Sequence, residues 1–283
     1  MSRQTGRQFK NRRLAQIEGF APASFRPSEL QVSELAISDV DQALSSSRGA
    51  KSRAIGATTL ARTRLAELDD AGEFEGLDMR NLLRGLFYST LGAVGNRATF
   101  LIQKEELGEY HPKVSESMRC YLSAKVSLQT ITGHLVNLLG EQEHKKITPF
   151  LDENTSNAWN LIGSSPAFLE DAHRGARYSW LKGLLRELVI KESIEGARYA
   201  TPDEELHPKL PADVVAIIAV GPDETRKVPI QVKPPLPNQE GRLIIDQDMR
   251  PMHAFVDVNG SITLPVQDRE SLVGAVWAQA FAA

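Results

Sequence analysis

The chain has 283 residues, of which 41% are hydrophobic and 24% charged, and its net charge is −3. This is the composition of a globular protein with a core of ordinary size. It excludes a membrane-spanning helix, since no apolar run approaches about 18 residues, and it excludes a disulfide framework or a cysteine-rich zinc site, since Cys120 is the only cysteine.

A reducing, intracellular and cytoplasmic setting is therefore expected, with Cys120 as a small packed side chain. No secretory leader is expected, because the basic first segment lacks an apolar stretch. Charge is unevenly spread. Residues 1–66 hold 11 Lys/Arg against 5 Asp/Glu, a balance of +6, which leaves about −9 for the other 217 residues. The pattern reads as a basic arm on a mildly acidic body.

In chain order, residues 1–13 carry Arg3, Arg7, Lys10, Arg12 and Arg13 with no acid. Such a segment is either a solvated terminus or an arm that neutralises nucleic-acid phosphates. Residues 28–44 read as a short helix or an extended segment. Residues 45–59, "SSSRGAKSRAIGATT", have the composition of a linker or mobile loop. From 60 to about 145 the apolar spacing is helical. "TTLARTRLAELDDAG" is one helix, ended by Gly72. A second carries Leu77, Leu82, Leu83, Leu86, Phe87 and Leu91 at helical intervals, with Gly92 and Gly95 marking a break or a close crossing. After Pro112 a third presents Met118, Tyr121, Leu122, Val126, Leu128, Ile131, Leu135 and Leu138 as a broad buried face. His134 is expected at the surface or in a structural role, and neither it nor His144 has a metal-ligand spacing. Residues 148–166 hold two prolines and many turn formers, so a domain boundary is placed there. A fourth helix then runs from Pro166 toward Gly196.

Beyond it the pattern changes to strands: "ARYA", "DVVAIIAV", "RKVPIQVK" and "RLIID". "HAFVDVNGSITLPV" reads as a hairpin turned at Asn259-Gly260. A closing helix is capped by Asp268. The expected fold class is thus α+β: a basic arm and linker (1–59), a helical region (60–165), and a small mixed sheet domain (166–283). "TPDEELHP" reads as a charged loop, and Asp246 with Asp248 as a turn with solvated carboxylates.

Side chains alternate along a strand, so Gln231 and Lys233 share one face. A hairpin through "GPDETR" brings Asp213 toward Lys233. An acid, an amide oxygen and an ammonium at one sheet edge suit phosphodiester hydrolysis. The acid and the amide oxygen can meet a hard divalent cation such as Mg2+ or Mn2+. The metal activates water, and the lysine orients that water or stabilises the transition state.

On these residues the C-terminal part resembles the PD-(D/E)xK nuclease superfamily, with its restriction-endonuclease-like core. Asp213 matches the first acid, and Gln231-Val232-Lys233 matches the second element in its Gln-x-Lys variant. Glu187 stands where a preceding helix supplies an acid, with Glu192 as its rival. The resemblance covers residues 176–258. It implies a metal-dependent endonuclease with Lys233, Asp213, Gln231 and Glu187 catalytic and with Asp213, Gln231 and Glu187 holding the metal. It further implies nucleic acid as partner, DNA ahead of RNA, and a homodimer or higher homo-oligomer. Pro234 and Pro235 depart from the helix expected after this strand. The alternative reading is a non-catalytic assembly protein, such as a virion component, with a helical oligomer interface and a basic nucleic-acid-contacting arm.

Overall fold

The computed structural model describes residues 32–70, 79–139, 141–163, 167–258 and 262–282. The basic side chains Arg3, Arg7, Lys10, Arg12 and Arg13, the stop at Gly72 and the Asn259-Gly260 turn lie outside them. The protein is α+β, with a helical N-terminal part and one five-stranded mixed sheet. No helix among the described residues is long and apolar enough to cross a membrane.

Two compact units are formed. Of the described residues, one holds Val32 to Leu184 and Thr201–Asp203; the other holds Leu185–Ala200 and the chain from Glu204 onward. The division falls inside a helix, whereas the sequence patterning starts the second domain at residue 166.

The first unit is built from α1 (Val32–Leu44), α2 (Ala50–Asp70), α3 (Met79–Leu107), α4 (Pro112–Leu138), α5 (Glu141–Ile162) and most of α6 (Ala167–Ser193). The stretch read as a linker is helix α2 from Ala50 onward. Its small residues are the reason: Ala54, Ala57 and Ala61 are almost wholly buried and α2 packs against α3. A Cβ added at Gly95 of α3 would lie 2.6 Å from Thr58 Oγ1 and 2.9 Å from the Ala54 carbonyl oxygen, and one at Gly92 would lie 3.3 Å from Ala61 Cβ. The glycines therefore mark a close crossing and not a break; α3 is continuous through both. The stretch read as a boundary is helix α5, which contains Pro149 on an exposed position. Helix α4 starts at Pro112, with His111 as N-cap accepting from the Lys113 amide. His144, buried, places Nε2 at 2.9 Å from the Val136 carbonyl and 3.2 Å from that of Leu139, satisfying the orphan end of α4. His134 is at the surface. Cys120 is exposed, contrary to the packed position expected for it, because it lies on the outer side of α4.

One polar cluster ties three helices of this unit together. Arg64 of α2 donates to both carboxylate oxygens of Asp39 of α1, at 3.0 and 2.8 Å, and the Tyr88 hydroxyl of α3 donates to the same carboxylate at 3.1 Å. The Arg64 hydrogen bonds hold the Asp39 carboxyl below its usual range, while burial pushes the Tyr88 phenol up.

The second unit comprises the end of α6, then β1 (Arg198–Tyr199), α7 (Pro202–Glu205), β2 (Val214–Ala219), β3 (Thr225–Lys233), β4 (Leu243–Asp246), β5 (Met252–Val256) and α8 (Val266–Ala282). Strand order is β1-β2-β3-β5-β4, with β3 and β5 parallel and the other pairs antiparallel. The acids read as a loop at 203–205 belong to the short helix α7, and Glu204 clasps Arg198 through two 2.7 Å hydrogen bonds. The expected hairpin at 253–266 is absent among the described residues. Strand β5 pairs instead with β3 and with the upstream β4. Asp268 sits in the first turn of α8, where its charge favours the helix dipole, and not at the cap.

One sheet face is oily and covered: Val214, Val228, Ile230, Met252, Ala254 and Val256 are all at most 2% exposed, and α8 packs on β2, β3 and β4. At about 25 cal/mol per Å² of apolar area removed from water, such a face is the main force assembling this unit. Pro229, unusual in an inner strand, is tolerated by register. Even-numbered residues of β3 bond to β2, as Val220 N to Glu224 O at 2.9 Å shows, so the missing N–H of Pro229 would point the other way. There β5 joins only from Ile230 onward.

Candidate polar row on the sheet

The opposite face carries the candidate site. The ladder ends with Val214 paired to Ile230, so Asp213 and Gln231 are the next residues on the two strands, and Lys233 lies two residues further along β3. The turn between the strands spans residues 220–224, and its length sets this register. The ladder also slips by one residue here. The Asp213 amide donates to the Ile230 carbonyl at 2.9 Å, and Asp213 Oδ2 accepts the Val232 amide at 2.7 Å. A carboxylate thus fills the acceptor position that a bulged backbone leaves empty. Asp213 is fixed in place by this bond, and one of its oxygens is engaged by it.

The row continues across the sheet. Gln231 pairs with His253 of β5, and His253 with Asp246 of β4. Cross-strand partners point to one face, so Asp213, Gln231, His253 and Asp246 line up in adjacent strands, with Lys233 and Phe255 in the next rank. The His253 and Phe255 rings meet edge to face, centroids 6.1 Å apart. All six residues are half-buried. Gln231, Lys233 and the His253 ring have no hydrogen-bond partner among the described residues. Burial and then the Lys233 ammonium hold His253 below its ordinary 6.5, partly opposed by Asp246 and Asp213. At neutral pH the imidazole is therefore uncharged. Asp246 Oδ1 accepts the Asp248 amide at 3.1 Å, which shapes the turn after β4.

Glu187, the helical acid, lies in α6 and is buried, 9% exposed. Its charge, after burial and Glu192, raises the Tyr199 phenol well above its ordinary value. Tyr199 pairs with Val214 and so belongs to the covered face. Lys191 donates to Glu192 at 2.6 Å. The structure therefore brings Asp213, Gln231 and Lys233 to one face, with Glu187 and Glu192 acting on Tyr199. His253 escaped sequence reasoning because a lone histidine in "PMHAFV" has no motif around it; only pairing of β5 with β3 and β4 gives it neighbours.

Among the described residues no three His, Cys, Asp or Glu side chains gather as a group able to hold a metal ion. Of the row's donors, the two on the adjoining ends of β2 and β3 are one carboxylate and one amide oxygen, Asp213 and Gln231; Asp246 lies beyond His253 on β4. That pair fits the modest protein share of a Mg2+ ion that keeps most of its waters and takes further oxygens from a substrate phosphate. No protein-family model, no curated protein and no solved structure matches the chain.

Proposed function

We propose that the sheet unit is a nuclease-like hydrolase of phosphodiesters, working at the Asp213–Gln231–Lys233 edge with Mg2+ or Mn2+. One observation carries this reading: half-buried polar side chains without hydrogen-bond partners among the described residues, Gln231, Lys233 and His253, converge beside a fixed carboxylate on one sheet face. Polar groups that only build a fold are normally paired within it. The order of elements supports the same reading. Along the chain a helix precedes the strands β1, β2 and β3, the order that the resemblance to a restriction-endonuclease-like core implies.

In this proposal Asp213 and Gln231 hold the metal, which supplies charge neutralisation and an acidified water when bound. Lys233 places its ammonium against a phosphoryl oxygen and stabilises the charge that grows there. The substrate is nucleic acid, DNA ahead of RNA, and the arm bearing Arg3, Arg7, Lys10, Arg12 and Arg13 contributes backbone contacts.

The test is cleavage of labelled duplex DNA, single-stranded DNA and RNA by the purified protein with Mg2+, Mn2+ or EDTA. Cutting is expected only with metal. Lys233→Met should lower it by about 100-fold or more without changing the circular dichroism spectrum. Metal-independent cutting, no cutting of any substrate, or an unaffected variant rejects the proposal.

A further inference from the structure

One ring on the polar face has no part in the hydrolase reading. Phe255 stands in the ranks of Gln231, Lys233, His253 and Asp246, half-buried on the face opposite the covered one. A phenyl ring is usually shut away from water. Its neighbours on β5, Ala254 and Val256, are shut away, both fully buried. Strand alternation turns Phe255 to the other side, so its ring stays partly in solvent.

The surroundings of the ring narrow what fits on it. Phe255 is the register partner of Lys233 on the parallel strand β3, so a lysine stem rises about 4.8 Å from it. Lys233 has no hydrogen-bond or ion-pair partner among the described residues. On the other flank Phe255 pairs with Ile244 of β4, and one rank back the His253 ring meets it edge to face, with 76° between planes. That contact uses at most one face of the phenyl ring. The backbone beneath is fastened: Gln239 Nε2 donates to the Phe255 carbonyl at 3.3 Å, and Gln239 Oε1 accepts the Leu236 amide at 3.0 Å.

A held aromatic ring beside such a cation suits a ligand that joins a flat π-system to an anion, as a nucleotide does. Any base stacks on a ring, while a flexible lysine reaches the phosphate as a point charge. Phenylalanine carries no hydrogen-bonding side-chain group, so it cannot read the edge of a base. It needs the flat face, and in a duplex those faces are already stacked on neighbouring pairs.

We propose that Phe255 is the stacking subsite for an unpaired base of single-stranded nucleic acid, with the adjoining phosphate at Lys233. The subsite rests on the nucleic-acid reading of this face and narrows it: the strand is unpaired at Phe255, and no base is preferred there.

The experiment is binding of the full chain, in EDTA and at one salt concentration, to fluorescein-labelled probes read by anisotropy. The probes are a single-stranded DNA, its duplex, and an abasic strand of the same length and charge as the first. The wild type should bind the single strand about tenfold more tightly than the abasic strand, which offers phosphates without bases. Phe255→Leu keeps an apolar side chain but loses the flat ring. It should weaken single-strand binding about tenfold and leave the duplex and abasic strand unchanged, with the wild-type circular dichroism spectrum. Phe255→Tyr keeps the ring and should bind as the wild type does. Equal wild-type affinity for base-bearing and abasic strands overturns the proposal, whether or not a variant folds. So does a folded Phe255→Leu that binds the single strand normally, or one that loses all three probes alike. No cleavage occurs in EDTA, so a protein that fails to cut leaves this test standing, and a ring that fails here leaves cleavage at Lys233 standing.

Discussion

The α2–α3 crossing of the helical unit and the polar face of the sheet unit treat their polar atoms and glycines differently. In the helical unit the buried hydroxyls of Thr90, Thr132 and Thr155 bond back to carbonyls one turn earlier, at 2.7–2.8 Å. Asp39, Arg64 and Tyr88 absorb one another's charges and protons, and Gly95 is required by contact with α2. In the sheet unit the covered face is as tightly apolar, yet the other face leaves Gln231, Lys233 and the His253 ring without hydrogen-bond partners among the described residues, and Gly274 faces open space. The contrast teaches where to look for function. The contrast is local and not a property of whole units, since the buried Ser89 hydroxyl and Asn154 amide of the helical unit also lack a hydrogen bond among the described residues and Gly183 also meets open space; it is the gathering of several such groups on one accessible sheet face that points to something that binds.

The largest effect that would sharpen this contrast is expected at the α2–α3 crossing. Gly95→Leu should destabilise the helical unit by about 3 kcal/mol, because the new side chain meets the Ala54 carbonyl and the Thr58 amide as well as the Thr58 hydroxyl, and the backbone atoms cannot swing aside. Urea unfolding followed by circular dichroism measures it, and a loss below about 1 kcal/mol would break the comparison. Next comes Asp39→Ala, expected to cost about 1–2 kcal/mol through lost charge-assisted hydrogen bonds in a part-exposed cluster. Its pH signature has a definite sign. The Asp39 carboxyl titrates below its usual 3.8 in the folded chain, so its stabilisation is complete above 3.8 and is lost as pH falls through the lowered value. Acid unfolding of Asp39→Ala should be less steep in that window than that of the wild type.

Smaller and opposite in sign is Gly274→Ala. It should stabilise the chain by about 0.5–1 kcal/mol, since the added Cβ meets nothing; thermal melts of the two proteins decide this, and a destabilised variant would contradict the open space. The smallest effect is at His253. Its folded value lies below 6.5, so the stability linked to it is full above 6.5 and declines as pH falls toward the lowered value. His253→Gln should flatten that limb of the melting temperature against pH, and an unchanged limb would assign it to another group.

Much of the fold was legible in local pattern. β-branched runs marked β2 and β3, and apolar spacing marked α3, α4 and α6, since burial of one side dictates period and composition together. The first turns of α2 and most of α5 were not. Ser, Gly and Ala around 45–59 look like linker composition, but at a close helix crossing small residues are the packing surface. Of the site, the Asp213, Gln231 and Lys233 trio was visible because strand alternation is a local property. The engagement of Asp213 Oδ2 by the Val232 amide was not, because a slipped ladder has no sequence signature.

The sequence by itself determined that the chain has helices followed by strands, that one strand ends in alternating polar residues, and that its last described helix carries no charge over 12 residues. Only the tertiary structure decided that β5 lies beside β3, that His253 therefore joins Gln231 and Asp246 in one row, and that the uncharged helix keeps a stripe in solvent. The physical reason is common to all three: periodicity records which side of an element is oily, while the choice of neighbour depends on contacts between residues far apart in the chain.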